Sequence, residues 1–136
     1  MKPNQDGTYG ARSRLEKLGV KPGHRVAVIG VEDADFLEEL GRVVAKLEGL
    51  SANALDVIFY AAGTLAALDR LGQLRGRIAG NGAIWVVSRK GKAATLKDTE
   101  VMAAAKRAGL VDNKVVGFSA THTALRLVVP LALRQR

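Results

Sequence analysis

The sequence contains few residue types that can carry chemistry, and the scarcest of them is histidine. His24 and His122 stand 98 positions apart, and neither lies beside a cluster of acidic residues. Because a metal ion needs several ligands that converge on one point, the sequence predicts no metal site. The chain also has no cysteine, which excludes thiol catalysis, disulfide bonds and thiolate metal ligands.

Hydroxyl groups and an imidazole come together at residues 119–123 (SATHT), a pattern that superficially resembles a nucleophile with its base. Neighbouring residues in a strand or a tight turn point in different directions, so this spacing does not bring Ser119 and His122 into line. The strained Gly-x-Ser-x-Gly turn that exposes a catalytic serine is also missing from the sequence. We therefore expect neither hydrolase activity nor a catalytic residue.

Positive charge is concentrated in the second half of the chain. Residues 1–68 carry 8 basic and 9 acidic side chains, residues 69–136 carry 13 and 4, and the net charge is +8. This asymmetry favours an anionic partner such as nucleic acid, with a basic surface that serves only solubility as the alternative. The residues predicted to bind an anion or nucleic acid are Arg70, Arg77, Arg89, Lys90 and Lys92.

Length and composition predict one globular domain. A chain of 136 residues with 48% hydrophobic content can bury a single core without a metal or a disulfide. Residues 1–9 are polar and are predicted to form a flexible N-terminus, with one domain over residues 10–136. The longest uncharged stretch, residues 57–68, is far below the roughly 20 residues of a membrane span. Since no apolar segment follows Lys2, we expect no secretory signal, no membrane partner and a cytoplasmic location.

Strands and helices alternate along the sequence. Apolar runs without polar alternation predict strands at 25–31, 55–60, 83–88, 114–119 and 124–129, which is typical of a sheet covered on both faces. Residues 42–47 are predicted as a further short strand, with continuation of the preceding helix as the alternative. Helical periods cover about 9–18, 33–40, 64–78 and 97–108, and residues 80–82 (GNG) are expected to end the third. Because only four residues separate the last two strands, those strands must form an antiparallel hairpin.

Several segments carry a resemblance to a known family. Residues 18–26 (LGVKPGHRV) resemble the lead-in of class I S-adenosylmethionine-dependent methyltransferases, and residues 56–58 and 80–86 resemble the starts of their fourth and fifth strands. The segments LGVKPG, GAIWVVSRK and GLVDNKVV are similar to a small uncharacterised bacterial family with a trimmed version of that fold. The resemblance covers about residues 10–130. It implies an α/β fold of three αβα layers, with a Rossmann-like, mostly parallel sheet and a C-terminal antiparallel hairpin.

The resemblance also shows where the cofactor site has changed. In these methyltransferases the first strand ends in an acid and three alternating glycines, whereas this sequence retains only the first glycine, Gly30. Val28 replaces the acid, and Glu32 and Ala34 replace the other two glycines. Glu32 would place a side chain and a negative charge where the methionine portion of the cofactor approaches.

The cofactor-binding residues that the resemblance implies are Gly30, Glu48 and Gly63. Glu48 follows Gly30 by 18 positions and is the nearest candidate for the acid that binds the cofactor ribose, with a solvated loop residue as the alternative. Residues 61–64 (AAGT) replace the Asn/Asp-Pro-Pro-aromatic motif of amino-methylating members. They hold no group that accepts a proton, which excludes that subclass.

These observations lead to three hypotheses. The first is a non-catalytic, methyltransferase-like binding or interaction module without a cofactor, because 136 residues leave little room for an acceptor pocket. The alternatives are a minimal methyltransferase that binds S-adenosylmethionine and a nucleic-acid-binding protein. An exposed edge strand would favour a homo-oligomer as one kind of interaction.

Overall fold

The computed structural model describes residues 13–49 and 51–134, so the predicted flexible segment 1–9 lies outside the described residues. The first two helices and first strand are α1 (Arg14–Lys17), β1 (Val26–Ile29) and α2 (Ala34–Gly41). They are followed by β2 (Leu55–Ala61), α3 (Leu65–Leu68), α4 (Leu71–Arg75) and β3 (Ile78–Arg89). The chain continues through α5 (Asp98–Arg107), β4 (Val111–Gly117) and β5 (His122–Val128). Short 3₁₀ turns lie at Gly91–Ala93 and Leu131–Leu133.

The five strands form one sheet in the order β1-β2-β3-β5-β4. β1 pairs with β2 and β2 pairs with β3 in parallel, while β5 lies antiparallel between β3 and β4. Four strands therefore run in one direction, and the terminal hairpin contributes the one reversed strand. The predicted α/β fold with a mostly parallel sheet and an antiparallel C-terminal hairpin is confirmed.

Helices cover both faces of the sheet, as the apolar strands require. Alternate residues of β2 face opposite sides, so that Phe59 packs with Phe36 of α2 while Ile58 packs with the cluster that includes Leu71 of α4. Trp85 is fully buried and its indole N–H donates to the backbone oxygen of Leu18, at 3.0 Å. The indole thus has the partner that burial demands.

Side-chain hydrogen bonds cap the N-termini of α2 and α3. Asp33 precedes α2 and accepts a hydrogen bond from the backbone N–H of Phe36 at 3.0 Å. Thr64 caps α3 in the same way by accepting from the N–H of Ala67 at 3.1 Å. Both caps fall where the sequence predicts a helix start. No helix in the described ranges is long and apolar enough to cross a bilayer.

Two predictions about elements are wrong. Residues 42–47 do not form a strand. Turns and bends cover residues 42–45, where the N–H groups of Val43 and Val44 both donate to the backbone oxygen of Leu40 and continue from the end of α2. The helix predicted over 64–78 is two short helices, and Ile78 is the first residue of β3. Residues 80–82 belong to that strand, where the register between β2 and β3 shifts, and do not form a helix-ending turn.

Candidate functional site

The carboxyl ends of β1, β2 and β3 meet at one edge of the sheet, beside the start of β5. A cleft of about 420 Å³ opens there, with Gly30 and Ala61 at its base. Open α/β sheets bind ligands at this edge. We call this space the first cleft.

Gly30 gives the first cleft its shape. Its φ of +78° favours glycine, and a Cβ at this position would lie 3.4 Å from the Cβ of Ala61. The backbone at the end of β1 therefore stays bare and lies close to the end of β2.

Two carboxylates line the first cleft on the side of the turn between β1 and α2. Glu32 is exposed there, while Asp33 is occupied as the cap of α2 and lies 3.4 Å from the guanidinium of Arg14. The acidic side of the first cleft thus combines one carboxylate that has no partner among the described residues with one that is held in place.

Arg14 holds the rim of the first cleft together. Its guanidinium donates to both carboxylate oxygens of Glu39, at 3.0 and 2.7 Å, and to the backbone oxygen of Phe118 at 2.8 Å. The hydrogen bond and charge of Glu39 raise the pKa of Arg14 against the opposing effect of burial. This one side chain joins α1, α2 and the β4–β5 hairpin.

The opposite side of the first cleft is basic. Arg89 at the end of β3 and His122 at the start of β5 are directly opposite each other in the antiparallel pair, and both line the cleft. Thr121 contacts the ring Nδ1 of His122 through its hydroxyl at 2.7 Å, and Ser119 lies 3.3 Å from that hydroxyl. These contacts organise the hairpin turn and place the Thr121 hydroxyl beside the imidazole of His122.

A second cleft of about 370 Å³ adjoins the first and shares Arg89 and His122 with it. Gly63, Thr64, Ser88 and Thr95 also line it. The Thr95 hydroxyl donates to the backbone oxygen of Gly63 at 2.7 Å and ties the loop after β3 to the end of β2. Ser88 is only 6% exposed, and its hydroxyl has no hydrogen-bond partner among residues 13–49 and 51–134.

The structure brings two of the three predicted cofactor residues to this edge. Gly30 lines the first cleft and Gly63 lines the second. Glu48 is at the opposite edge of the sheet, where its N–H donates to the oxygen of Val26, at the start of β1, and its carboxylate pairs with Arg25 at 3.3 Å. The prediction that Glu48 lies with Gly30 and Gly63 therefore needs correction. After α2 the chain returns to the edge where the strands begin, and it forms no strand that would carry Glu48 to the cleft.

The five predicted anion-binding residues do not form one surface. Arg89 reaches both clefts, and Lys90 and Lys92 follow it in the exposed loop. Arg70 lies over the ring of Tyr60, with 5.8 Å between its guanidinium carbon and the ring centre. Arg77 lies at the start of β3 and Arg89 at its end. The two are therefore far apart, since residues 83–89 of the strand alone span roughly 20 Å.

Ser88 and Thr95 are not among the residues that the sequence predicts for a site, and His122 is considered there only as a metal ligand or a catalytic base. A signal for Ser88 was present, since a polar residue ends an otherwise apolar buried strand. Nothing in the sequence indicated that Thr95 would reach Gly63. Among the described residues, no group of three or more histidine and acidic side chains could hold a metal ion.

Comparison with solved structures identifies the fold. A methyltransferase from Aquifex aeolicus described as S-adenosylmethionine-dependent has a TM-score of 0.59 at 17% identity, over 85% of this chain and 87% of that one. A TehB-like methyltransferase from Corynebacterium glutamicum has a TM-score of 0.55 at 11% identity, over 85% of each chain. Fibrillarin from Aeropyrum pernix, solved with natively bound S-adenosylmethionine, has a TM-score of 0.53 at 11% identity, over 79% of this chain and 67% of that one. At these identities the likeness shows a methyltransferase-like fold.

No curated protein matches the sequence. A family model described as a protein of unknown function, DUF3052, matches residues 15–131. This match spans most of the chain and agrees with the resemblance to a small uncharacterised family. The chain belongs to the DUF3052 family.

Proposed function

We propose that this protein is a non-catalytic binding module of the methyltransferase-like fold, which holds a small ligand in the first cleft. The observation that carries the proposal is the arrangement of polar groups there, with the carboxylates of Glu32 and Asp33 on one side and the Arg89 guanidinium, next to the His122 imidazole, on the other. A lining of this kind favours a small ligand that bears both a positive and a negative group.

The residues present fit S-adenosylmethionine only in part. Gly30 leaves the backbone bare where the cofactor lies in relatives of this fold. Glu32 lines the same cleft and reduces the room for the methionine portion. The nucleoside portion lacks support, because β1 is the edge strand of the described sheet and Glu48 pairs with Arg25 at the far edge. We therefore derive no methyl-transfer step.

A minimal methyltransferase is the second candidate. The left-handed backbone of Gly30 beside Ala61 favours it, together with neighbours that are S-adenosylmethionine-dependent methyltransferases. This candidate requires that Glu32 turn away and that solvent replace the missing ribose contacts.

Calorimetric titration with S-adenosylhomocysteine separates the two candidates. The proposal predicts no saturable heat up to millimolar ligand for protein shown to be folded, and no transfer of a labelled methyl group from S-adenosylmethionine. Micromolar binding that Gly30→Trp abolishes would overturn it. Gly91→Trp is the matched control, because Gly91 also has a positive φ, +68°, but lines neither cleft. Loss of binding in both variants would indicate backbone strain instead of a blocked cleft.

A further inference from the structure

We propose that the second cleft binds an oxyanion, a phosphate or carboxylate group, through Ser88, Arg89 and His122. This inference deepens the proposed function, since it names the chemistry of the ligand's negative group. It stands on contacts of the second cleft that do not involve Gly30 or Glu32.

The charge of the second cleft favours an anion. Arg89 lines it, and no acidic residue does. Within the described parts of the chain, no carboxylate lies within ion-pair distance of Arg89, so its guanidinium is free to bind a ligand. Glu32 and Asp33 line only the first cleft. A cationic group is therefore favoured beside Glu32 and Asp33, and an anionic group beside Arg89, where the two clefts adjoin.

The hydrogen bonds of the hairpin turn hold His122 in place. The Ser119 hydroxyl oxygen accepts from the N–H groups of Thr121 and His122, at 3.3 and 3.1 Å. The Ser119 and Thr121 hydroxyl groups are 3.3 Å apart, and the Thr121 hydroxyl is 2.7 Å from Nδ1 of His122. These contacts occupy Nδ1, and within the described residues they leave Nε2 as the ring nitrogen that can donate a proton to an anion.

Ser88 supplies a second neutral donor. Its hydroxyl is buried at the second cleft without a partner in the described structure, a state that costs free energy unless something accepts its proton. A ligand oxygen in the cleft would satisfy it. Buried hydroxyl groups without partners are rare enough in native proteins that this one points to a ligand.

All three donors line the second cleft. Arg89 and His122 are opposite each other across β3 and β5, a position in which Cβ atoms lie roughly 5 Å apart, while Ser88 lines the cleft from the other face of β3, at the end of that strand. Phosphate and carboxylate oxygens accept several hydrogen bonds, and a guanidinium can bind two of them at once. The bond from Thr95 to Gly63 closes the far side of the second cleft.

The test is an NMR titration of the full-length protein with inorganic phosphate, and in a second arm with acetate. We expect saturable shifts at residues 88, 89 and 122 with at least one of the two anions. Phosphate alone would indicate a phosphate-bearing ligand, whereas acetate of equal affinity would indicate a carboxylate. No saturable shift with either anion would overturn the proposal.

Variants then separate a built site from general electrostatic attraction. Arg89→Gln should weaken binding roughly 10- to 100-fold, the loss expected for hydrogen bonds to a charged group. Lys90→Gln removes the same charge from the adjacent residue, which lines neither cleft, and should leave binding within about twofold. Equal loss in both variants would contradict the proposal.

Ser88→Ala distinguishes a ligand-binding role of the hydroxyl from a purely structural one, because it compares anion affinity with stability. Removing a hydroxyl that has no partner should leave the free protein at least as stable, while anion binding weakens several-fold. A destabilised protein with unchanged anion binding would refute the role of Ser88. If phosphate binds and S-adenosylhomocysteine does not, both proposals stand; if both bind, the anion site stands and the non-catalytic function fails.

Discussion

The backbone at Gly82 approaches other backbone atoms closely, and Gly82→Ala tests this contact. A Cβ at this position would lie 2.7 Å from the backbone oxygen of Leu55 and 3.1 Å from those of Ala79 and Asp56. All three neighbours are backbone atoms, so none can swing aside as a flexible side chain would. The contact lies where the register between β2 and β3 shifts.

The expected loss follows from two opposing effects. Overpacking by one methyl group in a well-packed region costs about 1 to 3 kcal/mol. Alanine recovers about 0.4 to 1 kcal/mol because it restricts the unfolded chain more than glycine does. Because backbone atoms cannot swing aside, the cost lies in the upper part of its range, about 2 to 3 kcal/mol. We therefore expect Gly82→Ala to lower the free energy of unfolding by about 1 to 2.6 kcal/mol, with a fall in Tm of several degrees.

Urea unfolding followed by the fluorescence of Trp85, the one tryptophan of the chain, measures this loss. Gly72→Ala is the matched control, because Gly72 lies in α4 and an added Cβ meets nothing within 4 Å. Helix propensity predicts that this control gains up to about 1 kcal/mol. If Gly82→Ala were as stable as the wild type with an unchanged m-value, the close approach of β3 to the start of β2 would be refuted.

Three further substitutions test the rest of the packing. Arg14→Met should cost about 2 to 3 kcal/mol in urea unfolding, because it leaves Glu39 without its partner in a site where the Arg14 side chain is only 16% exposed; a loss below 0.5 kcal/mol would contradict the role of Arg14 as a clamp. Arg126→Met should be neutral or stabilising by up to about 1 kcal/mol, since burial lowers the pKa of Arg126 and the charge of Arg134 lowers it further; a clear loss of stability would show that its charge is favourable. Ala54→Gly should raise Tm by up to a few degrees, because relief of the strain at φ +56°, about 1 to 2 kcal/mol, exceeds the roughly 0.4 to 1 kcal/mol that the freer unfolded chain of glycine costs. A lowered Tm would mean that this strain is absent.

Local patterns in the sequence predict most of the fold. Apolar runs mark all five strands, and Asp33 and Thr64 mark two helix starts because each cap depends on residues within three positions. The short connection between the last two strands fixes the reversed direction of β5. These features depend on local chemistry, which a sequence displays directly.

Features set by distant contacts are harder to predict. Residues 78–82 look like a helix end with a glycine turn, yet pairing with Leu55 and the following residues draws them into β3. Glu48 stands at a plausible spacing from Gly30, but spacing along the chain does not tell which edge of the sheet a loop reaches. The second cleft depends on bonds such as that from Thr95 to Gly63, 32 positions apart, for which no local pattern exists.

The most direct test of the proposed function is an NMR titration of the folded protein with S-adenosylhomocysteine, followed at the backbone amides of Gly30, Val31 and Ala61. These residues line the first cleft, where the cofactor would have to lie. We predict that these amides do not shift in a saturable way up to millimolar ligand. Glu32 lines the cleft where the methionine portion would lie, and no strand of the described sheet lies beyond β1 to support the nucleoside portion. Saturable shifts at micromolar ligand would contradict it and establish a cofactor-binding methyltransferase site.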